Sequence, residues 1–318
     1  MIGKILEEGM AKLKEKGIQL RNAPETGTVR IQNRAYIESL MIEARVIDSI
    51  DVSEASTKLE LFGETFATPV MTGALSSLNA VCPDAMAEIA KGAMASGAVM
   101  WVGIGKEDEL KGVIQTGAKT VKVIKPYRDE DLIFEKIAQF ERDGAFAIGM
   151  DIIFCYGAQV DETVFRVDMM SPKTLSQIKA YKDATKLPFI LKGILSAQDA
   201  QKALDIGADA IVVSHHGGQC MDYAVPPLKV LPGIAKVIGK KIPILADSGI
   251  VRGTDAFKAL ALGASGVLVG RPVVYGLAYG QAEGVQKIIT GINEELRRTM
   301  LFTGSPDIYH IDPEVIWQ

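Results

Sequence analysis

Eight short apolar runs, each followed by a turn and an amphipathic stretch, predict an α/β fold closed into a (β/α)8 TIM barrel. Three observations carry this prediction. The runs (68–74, 98–103, 120–126, 145–152, 187–193, 210–215, 242–249 and 266–272) are continuously apolar rather than alternating, as parallel strands buried on both faces must be. Helix-period stretches separate them, such as 129–142, with Leu132, Ile133, Ile137 and Phe140 on one face, and 197–206. An open doubly wound sheet shows the same alternation, but eight strands close a barrel, and no Gly-rich dinucleotide fingerprint follows any run. Gly103-Ile104-Gly105 lacks the third glycine.

Residues 1–66 precede the barrel (67–318) as a cover within one domain. They read as a charged helix over 1–17, a second helix around 33–40 and two strand-like pieces around 44–47 and 58–62, expected to close the N-terminal mouth. The remaining composition is exclusionary. The 318 residues are 48% hydrophobic, without an apolar run of membrane-spanning length. A net charge of −4, with no basic stripe, points away from nucleic acid and anionic membranes. Lys4, Glu7, Glu8 and Lys12 interrupt any export signal, so a cytoplasmic location is expected. Three scattered cysteines suit neither a disulfide framework nor a CxxC metal site.

Active sites of such barrels lie in the loops after the strands, which selects the residues to read. The fifth run ends in Leu191-Lys192-Gly193, and the sixth leads into Ser214-His215-His216-Gly217-Gly218. The seventh runs into Asp247-Ser248-Gly249 and Arg252, the eighth into Gly270-Arg271. Glycines past strands seven and eight, helix starts and arginines together make a phosphate site. Lys192 is either a snorkelling lysine or a fixed cation at the mouth. His216, before two glycines, is a candidate acid–base group. Adjacent His215 and His216 point to opposite faces, so no shared metal is expected. Lys122, Lys125 and Asp151 are charges in apolar runs, hence site groups or loop starts.

At these residues the sequence resembles the FMN-dependent α-hydroxy acid oxidase and dehydrogenase family. The match is strongest from 187 to 307 and most specific in the run Arg252-Gly253-Thr254-Asp255-Ala256-Phe257-Lys258-Ala259. The resemblance implies FMN as cofactor and hydride transfer from a substrate carbon to the flavin. In its terms His216 is the general base, and Lys192 stabilises negative charge at the flavin N1/O2 edge. Ser214 touches the isoalloxazine ring, Asp247 the ribityl hydroxyls, and Gly249, Gly270 and Arg271 the phosphate. Thr72-Gly73-Ala74 forms the turn behind the flavin, with Gly103, Lys122, Ser248 and Arg252 as further cofactor contacts and His215 beside the substrate. A tetramer is the family's assembly.

The departures concern the substrate. Where relatives carry a carboxylate-binding arginine after the Gly-Gly pair, this chain has Gln219. The histidine-orienting aspartate falls on Ile153, and Asp151, two residues away on the same strand face, is its candidate replacement. The strand-seven phosphate arginine falls on Val251, and the 153–172 connection is shorter than the family's loop. An oxidoreductase acting on an atypical hydroxylated small molecule is therefore expected. The alternatives are a 2-hydroxy acid enzyme whose carboxylate site is rebuilt from His215, Lys122, Lys125 or Arg252, and a flavin-dependent isomerase or electron carrier. Oxygen, a quinone and a protein remain open as electron acceptors.

Overall fold

A computed structural model describes residues 2–20, 23–105, 107–160 and 163–317. Eight parallel strands form the barrel: β1 (Val70–Thr72), β2 (Met100–Val102), β3 (Thr120–Ile124), β4 (Ala147–Asp151), β5 (Phe189–Ile194), β6 (Ala210–Val213), β7 (Ile244–Ala246) and β8 (Gly266–Val269). Each falls inside one of the eight apolar runs, except that β5 runs one residue past the end of its run at 193. They are ordered β1-β8-β7-β6-β5-β4-β3-β2. β1 meets β2 through the Thr72 hydroxyl, which accepts from Trp101 N at 2.7 Å, and a parallel bridge between Leu75 and Val102. Closure leaves no long unpaired edge.

Helices α1 (Ala85–Ala95), α2 (Glu107–Ile114), α3 (Glu130–Asp143), α4 (Leu175–Asp183), α5 (Ala197–Asp205), α6 (Pro227–Ile238), α7 (Gly253–Ala261) and α8 (Arg271–Phe302, broken at Gly280 and Gln281) surround the strands. Their starts follow local chemistry. Asp129 caps α3 by accepting from Leu132 N, Thr174 and Gln177 form a capping box on α4, and Ser196 caps α5. Among the described residues, no helix is long and apolar enough to cross a membrane.

The cover does not close one mouth as expected; it divides over three surfaces. Among the described residues of the cover, the hairpin Leu59–Leu61/Glu64–Phe66 lies at the N-terminal mouth, where Phe62 and Phe66 pack on Phe146 just before β4. The first helix, Ile2–Glu15, packs along α8; Met1 lies outside the described residues. The second helix, Thr28–Ser39, sits at the opposite rim. There Asn33 Nδ2 donates to Ser248 O at 2.9 Å and Arg34 grips Asp255 through two hydrogen bonds of 2.9 Å. Residues 44–47 form no strand, because the C-terminal strand Ile316–Trp317 pairs with Met41–Ile42 instead.

Candidate active site

Alternation along the strands turns Lys125, Asp151 and Lys192 toward one another at the C-terminal mouth. Asp151 Oδ2 lies 2.6 Å from His216 Nδ1 and 2.7 Å from Lys125 Nζ. Lys192 Nζ donates to Ser214 Oγ at 2.8 Å and lies 3.0 Å from Asp247 Oδ2. Asp247 in turn accepts from Ser248 Oγ at 2.6 Å. The turn that presents His216 is left-handed at three successive residues, with φ of 55°, 66° and 76° for His216, Gly217 and Gly218. Glycine adopts that conformation readily; histidine does not. Bonds from His216 N to Ser214 Oγ and from Gly217 N to Ser248 Oγ hold it there.

Two lysines and two aspartates in one buried cluster balance their charges. Burial opposes ionisation of Asp151, but Lys125, Lys192 and His216 outweigh it and hold the carboxyl well below its ordinary value. Burial likewise opposes charge on Lys192, yet Asp151 and Asp247 raise it above the ordinary lysine value. Burial, then the Lys125 charge, lowers His216, with Asp151 acting against them. His215 is pushed down to about 4, chiefly by burial, and neither ring nitrogen has a hydrogen-bond partner.

Several expected contacts lie elsewhere. Lys122 points into the helix layer, because Val121 and Val123 take the interior face of β3 and Lys125, the residue just after it, continues that face. Its ammonium donates to Gly103 O and lies 5.6 Å from the Phe140 ring centroid on α3. Lys122 and Gly103 thus hold each other rather than a cofactor. The Arg252 guanidinium turns outward to Glu295 on α8; Glu295 also accepts from Gly253 N, the first N–H of α7, and Asp255 from Val251 N and Arg252 N just before it. That helix start is neutralised by the chain's own carboxylates. The Thr72 hydroxyl closes the barrel, and the Gly73-Ala74 turn packs against Gly270 and Gly103. Gly249, with φ of +92°, leaves the space that Asn33 fills. Gln219 is half-buried and its carbonyl accepts from Gln159 N in the hairpin Ala158–Val160/Thr163–Phe165.

The start of α8 differs. A β-carbon at Gly270 would meet nothing within 4 Å, and the next residue, exposed Arg271, lines a cavity of about 420 Å3 with Lys14, Arg30 and Tyr275. Arg30 Nε donates to Gly217 O at 3.1 Å, and burial together with the Arg271 charge lowers its guanidinium to about 10. Reading the sequence missed Arg30, although Arg30, Asn33 and Arg34 share one helix face at spacings of three and four. It also missed Phe154, whose ring lies 5.1 Å from that of His216 in a stretch without periodicity. These residues fit FMN. Asp151 Oδ1 is buried without a partner at the mouth, Lys192 provides a cation beside it, and two guanidiniums flank open space at a helix N-terminus.

Comparison with known proteins agrees. The family model for FMN-dependent dehydrogenase matches residues 20–154 and 156–318. A peroxisomal (S)-2-hydroxyacid oxidase of Arabidopsis thaliana is 29% identical over 309 residues, covering 87% of this chain and 85% of that protein. An L-lactate oxidase of Lactobacillus jensenii is 29% identical over 313 residues, covering 88% and 76%. A crystal structure of mandelate oxidase superposes with a TM-score of 0.89 at 26% identity, over 96% of this chain and 95% of that one. The chain therefore belongs to the FMN-dependent dehydrogenase family, as an FMN-using oxidoreductase that acts on CH–OH groups.

Proposed function

We propose that the protein dehydrogenates a hydroxylated carbon of a small molecule that is not held by a carboxylate-binding arginine, with His216 as the base. The observation that carries this reading is the 2.6 Å contact between His216 Nδ1 and Asp151 Oδ2. An ionised Asp151 accepts the Nδ1 proton, which leaves the Nε2 lone pair to take the substrate hydroxyl proton. Burial and Lys125 keep the imidazole neutral and ready for that proton. FMN, when bound, accepts the hydride that leaves the carbinol carbon. Lys192 supplies a buried cation on the cofactor side, steadied by Asp247 and Ser214. Gly270, Arg271 and Arg30 are the groups we assign to the cofactor phosphate.

The substrate class follows from Gln219 and from what the basic groups are doing. A neutral amide cannot replace a guanidinium fork on a carboxylate. The four candidates for rebuilding that site are engaged or uncharged. Lys125 is on Asp151, Lys122 on Gly103 O, Arg252 on Glu295, and buried His215 resists protonation. We therefore assign a substrate with a neutral polar group beside the carbinol. Anaerobic bleaching of the bound flavin, by compounds offered with and without a carboxylate, tests this. The oxidase names of the relatives favour oxygen as acceptor, testable as hydrogen peroxide release.

A cytoplasmic homo-oligomer completes the reading. Exposed Met41, Ile47, Val52, Phe302 and Trp317 belong to the segments that meet where residues 41–54 run beside the C-terminal region, an apolar face of the kind subunits bury. Light scattering on the purified chain tests it, a monomer being the contrary result.

A further inference from the structure

We infer that Lys125 is a positioning residue that sets the proton affinity of His216 through the oxygen of Asp151 they share. The inference rests on the reading of His216 as the base. Lys125 is 4% exposed, and its ammonium lies 2.7 Å from the Asp151 oxygen that is itself 2.6 Å from His216 Nδ1. The same ammonium sits 3.9 Å from the Phe154 ring centroid, and Phe154 lies against the His216 ring. Lysine and imidazole thus meet on one carboxylate, with the aromatic ring packed against both of them. Asp151 Oδ1 makes no hydrogen bond, so the Lys125 ammonium and the His216 Nδ1–H share Oδ2.

That sharing has a chemical consequence. A carboxylate that served His216 alone would favour the imidazolium and make a poor base near neutral pH. A fixed ammonium on the same oxygen repels a proton arriving on the imidazole, while keeping the carboxylate ionised to orient Nδ1–H. The other charged or titratable groups around His216 are Lys192 from β5, which acts in the same direction, Asp247 beyond it, and His215 and Cys220 on its own segment. Lys125 also explains how the aspartate can stand at 151 rather than 153, since the ammonium offsets the burial of the carboxylate there.

The test is NMR titration of the FMN-loaded chain carrying 13Cε1-labelled histidine. Only three histidines are present, so His216→Gln assigns the signal, and exposed His310 is the internal control. In Lys125→Met the His216 midpoint is expected to rise by about one pH unit, roughly a tenfold gain in proton affinity, with His310 unmoved. Lys125→Arg is expected to titrate near the wild type. An unmoved or lowered midpoint in Lys125→Met overturns the inference. Should the methionine chain fail to fold, Lys125→Arg decides: a wild-type midpoint supports the role, and a displaced one contradicts it. No turnover is needed, so an unmoved midpoint leaves the base assignment to be judged separately by the activity of His216→Gln.

Discussion

His216 Nδ1 and Asp151 Oδ2 meet at 2.6 Å across the barrel mouth, joining the turn after β6 to the end of β4. In the proposed reading the pair fixes one imidazole tautomer and leaves Nε2 for the substrate hydroxyl. Replacing His216 by Gln is expected to slow flavin reduction by about 10²- to 10⁴-fold, the range for a lost general base. Bound FMN should be unaffected. Asp151→Asn should also slow reduction, and lower the His216 midpoint. Stopped-flow absorbance of the flavin reads the rates, and unaltered rates in His216→Gln would remove it as the base.

Acid sensitivity follows from His215. Its folded proton affinity is depressed to about 4, while an unfolded histidine titrates near 6.5. The unfolded chain therefore binds the extra proton between those values, so this group's contribution is present above pH 6.5 and lost as pH falls toward 4. The loss amounts to about 3 kcal/mol at its acid end. Urea unfolding at pH 7 and pH 4.5 should show a smaller acid loss for His215→Asn than for the wild type. Equal losses would mean that His215 is not held neutral.

Arg30 carries the cofactor-phosphate assignment. Losing one charge-assisted hydrogen bond weakens binding by about 10- to 100-fold. Arg30→Gln should weaken FMN by that factor and leave riboflavin, which lacks the phosphate, unchanged. Fluorescence titration of the apoprotein measures both. An unchanged FMN-to-riboflavin ratio contradicts the assignment.

Gln219 is the point at which specificity should be reversible. Gln219→Arg is expected to lower KM for a 2-hydroxy acid by about tenfold, by restoring a charge-assisted contact. Steady-state kinetics with a hydroxy acid and its amide checks this. A fall of equal size for both compounds would place the effect outside carboxylate recognition.

The strands were legible because continuous apolar runs of six to eight residues, separated by capped amphipathic helices, have few other solutions. Asp151 was singled out for a strand face shared with Ile153, but β4 ends at Asp151 and 152–156 turn into a 3-10 helix, so its contact with His216 comes from its place at the strand end rather than from that alternation. Alternation along β3 and the residue after it separates Lys125 from Lys122, three residues apart and on opposite faces. Reading each as a charge in an apolar run did not use it. Arg252 was misleading because its partner, Glu295, lies on another helix, and nothing local announces that pairing. The split path of the cover was hidden too. It depends on Asn33 and Arg34 meeting Ser248, Gly249 and Asp255, contacts between residues more than 200 apart.

The most direct measurement is the anaerobic rate of flavin bleaching by a 2-hydroxy acid and by its amide, compared in wild type and His216→Gln. Bleaching by the amide at least as fast as by the acid, lost in His216→Gln, is the predicted result. Rapid bleaching by the acid alone, or bleaching that survives His216→Gln, would contradict the account.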